Sequence, residues 1–326
     1  MPAPSSSPTN AATPAAATAP TPGTGTGTGT GTDTGTSTGT DRRSPLAPVA
    51  LVIAAGISVQ FGAALAVLIM PRAGAAGVVT LRLAAAAIVL LLLCRPKVRG
   101  YSRSDWSTVV WFGVTMAAMN GLFYQAIDRI PLGPAVTLEV LGPLALSVVV
   151  SRRLVNVLWA GLALAGVVLL STHGGGGFGG LDLLGAGFAL GAGAMWAAYI
   201  VFSARTGRRF PQADGLALAM AVAAVLSLPL GVLEAGSDLL APRTLALGVG
   251  VAVLSSVLPY TLELLALRRL PASTFAILMS LEPAIAASAG FLVLRQAMSA
   301  LDALAIALVI AASMGAVRSQ TRKKAA

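Results

Sequence analysis

Glu139 and Glu282 are carboxylates set in long apolar stretches, each close to a helix-breaking proline, Pro143 or Pro283. A charge inside hydrocarbon costs several kcal/mol unless it faces a partner or a polar cavity, so each needs a reason to be there. Proline has no N–H to give and leaves the carbonyl one turn earlier without its donor. A carboxylate beside free carbonyls is a cluster of acceptors, suited to an ammonium group or to an exchangeable proton. The plainer reading is that each glutamate is protonated or bonded to a hydroxyl and merely holds helices together. Glu263 lies near the end of another apolar stretch, where structural or topological duty is the weightier reading. Arg82, also in an apolar stretch, has three fates open to it: binding a ligand carboxylate, neutralising Glu139, or snorkelling outward. Asn120 and Tyr124 are four apart and share a helix face. Tyr260, Trp196, Tyr199 and Gln60 are further candidates to line a cavity, although packing is the commoner duty of an aromatic.

Other chemistries find little support. His173 is the single histidine and Cys94 the single cysteine, so no metal-ligand cluster, intrachain disulfide or serine–histidine–acid arrangement is available. No catalytic residue, metal or cofactor is expected. Gly174 to Gly177 with Gly179 and Gly180 form a glycine-rich run, but no Gly-Lys-Ser/Thr follows, so it is a connector and not a phosphate loop. Gly187 and Gly191 have the spacing of close helix packing in a membrane.

Composition names the solvent these residues work in. The chain is 56% hydrophobic and 10% charged, with a mean hydropathy of +0.83; a soluble domain carries about 25% charged residues. Bilayer is its natural surroundings. A net charge of +10 would suggest nucleic acid in a soluble protein, but most Lys and Arg here lie in short turns between apolar runs, and no nucleic-acid partner is expected. Residues 1–45 are a Thr/Gly/Pro/Ala-rich tail that cannot build a core and is expected to be disordered. From Leu46 onward, apolar stretches long enough for about 30 Å of hydrocarbon recur. They predict ten spans, at 46–70, 76–94, 106–127, 132–150, 154–171, 183–204, 214–233, 244–266, 271–294 and 298–317.

Charge in the turns tests that count. With the amino terminus in the cytoplasm, seventeen Lys and Arg fall inside and four (Arg72, Arg129, Arg243 and Arg295) fall outside, which obeys the positive-inside rule. Both termini, including the basic tail 318–326, are then cytoplasmic. The chain also repeats itself. Residues 126–145 read AIDRIPLGPAVTLEVLGPLA and residues 266–285 read ALRRLPASTFAILMSLEPAI, identical at six of twenty positions. Five spans separate the copies, so one is upside down relative to the other. The predicted fold is an all-α integral membrane protein of ten transmembrane helices in two inverted five-helix repeats, 46–171 and 183–317. Inverted repeats with broken helices near the midplane are an architecture of secondary transporters. At a rise of about 1.5 Å per residue, Glu139 and Arg82 lie about 10 Å in from the outer face and Glu282 about 16 Å in from the inner face.

At these residues the chain resembles the EamA-type permeases of the drug/metabolite transporter superfamily, and within them the bacterial threonine/homoserine exporters. The matching segments are VTLRLA (79–84), MNGLFY (119–124), PLGPAVTLEVLGPLA (131–145), SRR (151–153), ALGAGAMWAAYI (189–200), LPYTLELLALRRLP (258–271) and TFAILMSLEPA (274–284). The resemblance covers about residues 46–317. It implies efflux of small neutral amino acids across the bacterial plasma membrane, coupled to proton entry, with the amino acid, protons and the lipid bilayer as partners and a homodimer as one permitted assembly. It carries the family's motif positions onto Arg82, Asn120, Tyr124, Glu139, Pro143, Tyr260, Glu263, Glu282 and Pro283. One departure stands out: where the family has a Gly-Glu pair at the end of span nine, this chain has Arg295 and Gln296. The alternatives are a permease of the same fold carrying another metabolite or a drug and, more distantly, a membrane enzyme or scaffold, which the lack of a nucleophile or metal site disfavours.

Overall fold

The computed structural model describes residues 46–151, 154–172, 182–211, 213–267, 269–270 and 272–324. The tail 1–45, Arg152 and Arg153, residues 173–181 with His173 and the glycine-rich run, Gln212, Arg268, Pro271 and the last two residues lie outside the described residues. Among the described residues every regular element is helical.

The first helix, α1 (Leu46–Cys94), runs for 49 residues with one non-helical residue, Gly74 (φ 65°, ψ 170°). At about 1.5 Å per residue that is about 73 Å, more than twice the hydrocarbon layer. The turn expected between spans one and two thus shrinks to a single glycine. Gly74 takes a left-handed φ that a side chain would strain, and a Cβ there would strike the Glu234 carboxylate. That carboxylate accepts the Ala75 N–H (3.1 Å) and the Ala76 N–H (2.6 Å), which supplies the renewed helix with the N-terminal partners it lacks.

α2 (Arg103–Ile127) opens with a capping box between Ser102 and Asp105. α3 (Leu132–Glu139) and α4 (Leu141–Ser151) are two pieces of one apolar stretch, followed by α5 (Leu154–Thr172) and α6 (Leu183–Gly207). α7 (Asp214–Ala235) contains Pro229 and passes through a short 3₁₀ turn into α8 (Pro242–Ala252). A π-helical turn (Val253–Val257) joins α8 to α9 (Leu258–Leu267). α10 (Ala272–Met279) and α11 (Glu282–Leu294) are again two pieces of one stretch, and α12 (Ala300–Lys324) closes the chain.

Among the described residues six stretches are long and apolar enough to cross a membrane: Ala47–Cys94, Leu183–Gly207, Asp214–Leu240, Pro242–Glu263, Ile277–Leu294 and Ala300–Arg318. That is fewer than the ten spans expected from the sequence, and the count of ten is not reached; α1 by itself has the length of two crossings. Large apolar side chains face outward, among them Leu93 (73% exposed) and Leu233 (82%), as a lipid-facing surface requires.

Helices from early and late in the chain pack together. α1 packs on α7, α8, α9 and α11, α2 on α6 and α7, α3 on α11 and α6, and α5 on α12. Tyr124, Phe112, Leu83, Met116 and Leu138 are the large side chains at the centre of the main core. A smaller cluster of Leu144, Ala163, Val309, Ala312 and Ala316 joins α4, α5 and α12.

Candidate functional site

Two apolar stretches are interrupted, between Glu139 and Leu141 and between Met279 and Glu282, a few residues ahead of Pro143 and Pro283. α3 ends at Glu139 and α4 begins at Leu141. Pro143 therefore sits in the first turn of α4, where its missing N–H leaves no helical bond unmade. The Glu139 carbonyl, four residues back, loses the donor that a continuous helix would give it. Gly193 of α6 lies against that carbonyl oxygen so closely that a Cβ would strike it, and a Cβ on Gly142 would strike the Gly193 backbone in turn. Backbone meets backbone at the break. In the second half the interruption falls at Ser280 and Leu281, with Glu282 and Pro283 opening α11. Glu282 is buried (8% exposed), and its carboxylate stands at the helix end where the dipole favours negative charge.

Arg82 does not snorkel outward. Its Nη1 donates to the Tyr124 hydroxyl (3.3 Å), its Nη2 to the Ser255 carbonyl (3.1 Å) and its Nε to Ser256 Oγ (3.4 Å). The guanidinium carbon also lies 5.6 Å from the Tyr124 ring centroid, within cation–π range. Ser255 and Ser256 belong to the π turn, a feature common at functional sites. Pro259 explains why acceptors are open there. It supplies no N–H to the preceding turn, and two carbonyls of that turn take side-chain donors instead, Ser255 from Arg82 and Leu254 from Ser58 Oγ (2.6 Å).

One acid, Glu139, reaches this hub, and the other two connect through it. Glu139 lies within coulombic reach of Arg82, and Glu282 within reach of both Glu263 and Glu139. Glu139 and Glu263 are half-buried and keep part of their surface accessible. The three carboxyl groups thus form a chain, Glu263 to Glu282 to Glu139, of which Glu139 is the member within reach of the guanidinium. Such a site can hold a positive group among its acids and a negative one at Arg82.

The remaining candidates divide. Tyr124 is fully buried at the centre of the site, while the Asn120 amide is spent on the Met116 carbonyl (2.9 Å). The Tyr260 side chain lies outside the described residues. Among the described residues a Cβ on Gly187 would meet nothing within 4 Å and one on Gly191 would meet Leu122 at 3.3 Å, whereas the close backbone approach on α6 is at Gly193. Sequence reasoning passed over Ser255, Ser256 and Glu234. Pro259 inside an apolar stretch was the available signal for the two serines. At the end of α11, Arg295 takes a left-handed conformation (φ 55°) and Gln296 Oε1 accepts the Leu132 N–H (3.1 Å) at the start of α3.

A model of the EamA-like transporter family matches residues 183–318. Over 293 residues the chain is 40% identical to the threonine/homoserine exporter RhtA of Escherichia coli strain K12, covering 87% of this chain and 97% of that protein. The chain belongs to the EamA-like transporter family. The RhtA exporter of Salmonella typhimurium strain LT2 is likewise 40% identical over 282 residues, 85% of this chain and 93% of the relative. A solved crystal structure aligns over 84% of this chain and 98% of its own with a TM-score of 0.54 at 20% identity, a likeness of fold alone. With this membership and its apolar helices, the EamA-like chain is a multi-pass membrane protein.

Proposed function

We propose that this protein exports small neutral amino acids of the threonine and homoserine kind across the bacterial plasma membrane, in exchange for protons, by rocking one five-helix repeat against the other. The run of acids from Glu263 through Glu282 to Glu139, with Arg82 at its end and two interrupted helices bearing Glu139 and Glu282, carries the reading. A zwitterion needs acceptors for its ammonium and a donor for its carboxylate. Glu139 and Glu282 are assigned the ammonium and Arg82 the carboxylate, for which Ser255, Ser256 and the Tyr124 hydroxyl keep the guanidinium aimed. Protonating a glutamate cancels the charge that attracts the ammonium, so proton entry and cargo release become linked. The names of the RhtA relatives support this cargo class.

The ten-span arrangement, with residues 46–171 and 183–317 as inverted repeats and both termini inside, belongs to the same proposal. Contacts at the helix ends support it. Arg209 Nη1 donates to Ser104 Oγ (2.8 Å) and pairs with Asp105 (3.3 Å), joining two turns assigned to the inside. Glu234 with Ala75, and Gln296 with Leu132, join turns assigned to the outside.

Glu282→Gln is the direct test. The variant is expected to insert and fold but to lose proton-driven export; normal pH-dependent export by it would contradict the assignment. A growth screen against toxic analogues separates amino-acid cargo from a drug or another metabolite on the same fold.

A further inference from the structure

Buried polar side chains around the site are nearly all spent on neighbours. Thr115 Oγ1 donates to the Phe112 carbonyl (2.8 Å), Thr137 Oγ1 to Gly133 (2.7 Å) and Ser255 Oγ to Val251 (2.6 Å). Gln60 is different: it is 3% exposed and its Oε1 accepts no hydrogen bond. The other buried polar atoms without a partner among the described residues, on Trp159, Thr206 and Ser313, belong to the α5–α12 pair and the last turn of α6. A buried amide oxygen left unpaired is destabilising, so it calls for a partner.

The position of Gln60 is informative. Gly56, one turn earlier on the same face, would bring a Cβ to 3.1 Å from Ile285 Cδ1, one turn along α11 from Glu282. On the opposite face, Ser58 bonds the Leu254 carbonyl (2.6 Å) and a Cβ on Gly62 would meet Ser255 Cβ at 3.0 Å. This stretch of α1 runs between the helix that begins at Glu282 and the π turn that holds Arg82. A charged donor there would go to a carboxylate. A neutral amide oxygen suits a neutral donor.

We propose that Gln60 Oε1 accepts the side-chain hydroxyl of the transported amino acid and thereby selects hydroxylated cargo over apolar cargo of the same size. The inference rests on the amino-acid export reading and deepens it. An apolar pocket separates threonine from isosteric valine poorly, whereas a buried acceptor left unpaired by valine discriminates strongly. Gln60 is a specificity residue here, with the charged ends of the cargo held elsewhere.

The test is uptake of labelled threonine and valine, and of serine and alanine, into inside-out vesicles containing the full chain or its Gln60→Met variant, which keeps the unbranched shape. The unsubstituted protein is expected to prefer the hydroxylated member of each pair, and the variant to lose that preference by at least about tenfold while valine uptake holds or rises. A preference unchanged in the variant, or threonine and valine uptake falling in proportion, would overturn the proposal. If Gln60→Met does not insert, competition on the unsubstituted protein decides. Valine competing as well as threonine for labelled homoserine would overturn the assignment; valine competing at least about tenfold more weakly would uphold it. Absence of uptake of every amino acid by folded, unsubstituted protein would instead overturn the export reading, and the Gln60 assignment with it.

Discussion

The two site glutamates are not equivalents of one another. With the repeats set 140 residues apart, Glu139 aligns with Met279 and Glu282 with Gly142. One acid ends the helix before a break, and the other begins the helix after one. Only Glu282 has a helix amino end beneath it to favour its charge, while Glu139 is the acid facing Arg82. Glu282→Gln and Glu139→Gln should therefore fail differently: the first in proton dependence, the second in cargo affinity. Transport across a range of imposed pH gradients and cargo concentrations would show this, and identical defects would count against distinct roles. Arg82 offers a sharper case, because lysine keeps the charge but cannot reach three acceptors at once. Arg82→Lys is expected to cost about 2 kcal/mol, or about 30-fold in apparent affinity for a carboxylate-bearing cargo. Much of this was legible from residue types, since a carboxylate or guanidinium in an apolar run marks itself. The partners of Arg82 were not, because hydropathy reports which solvent a helix prefers and not which carbonyl a proline leaves open 170 residues away.

Element by element, small residues and caps decide how closely the helices meet. Gly193→Ala places a methyl against the Glu139 carbonyl, and overpacking of that kind costs about 1–3 kcal/mol. Thermal stability in detergent should fall, and export should fall further than stability does, since α6 would be pushed off the break. The sequence pattern pointed to Gly187 and Gly191 instead; spacing alone does not say which face of α6 meets a backbone. Arg295 is left-handed where glycine would be at ease, so Arg295→Gly should stabilise the fold by about 1 kcal/mol. At the α2 amino end, Asp105 is held below its ordinary pKa, first by the Ser102 hydroxyl (2.7 Å) and then by the Ser102 N–H, with Arg209 adding to both. A lowered folded pKa means the stabilisation is complete above the unfolded value and is lost as pH falls through the folded one. The melting-temperature gap between the unsubstituted protein and Asp105→Asn should thus be open at neutral pH and close in strong acid. A gap that ignores pH would place the contribution of Asp105 elsewhere.

For the whole molecule, the multi-pass apolar character was readable because the bilayer imposes segment length and composition on any chain that crosses it. The packing of early helices on late ones was not readable in that way, since α1 meets α7, α8, α9 and α11 through contacts that leave no periodic trace. The shrinking of the first turn to Gly74 depends on Glu234, 160 residues later. Inversion of the repeats has its own check. In a Cys94→Ser background, Arg129→Cys should react with an impermeant thiol reagent from outside, and its repeat equivalent Arg269→Cys only from inside; labelling of both from one side would contradict the inverted arrangement. The central claim, proton-driven export of a small hydroxylated amino acid, is met most directly by uptake of labelled threonine and homoserine into inside-out vesicles with an acidic lumen. Saturable accumulation that vanishes when the gradient is collapsed is the expected result, and no uptake of either amino acid by vesicles shown to hold folded protein would contradict it.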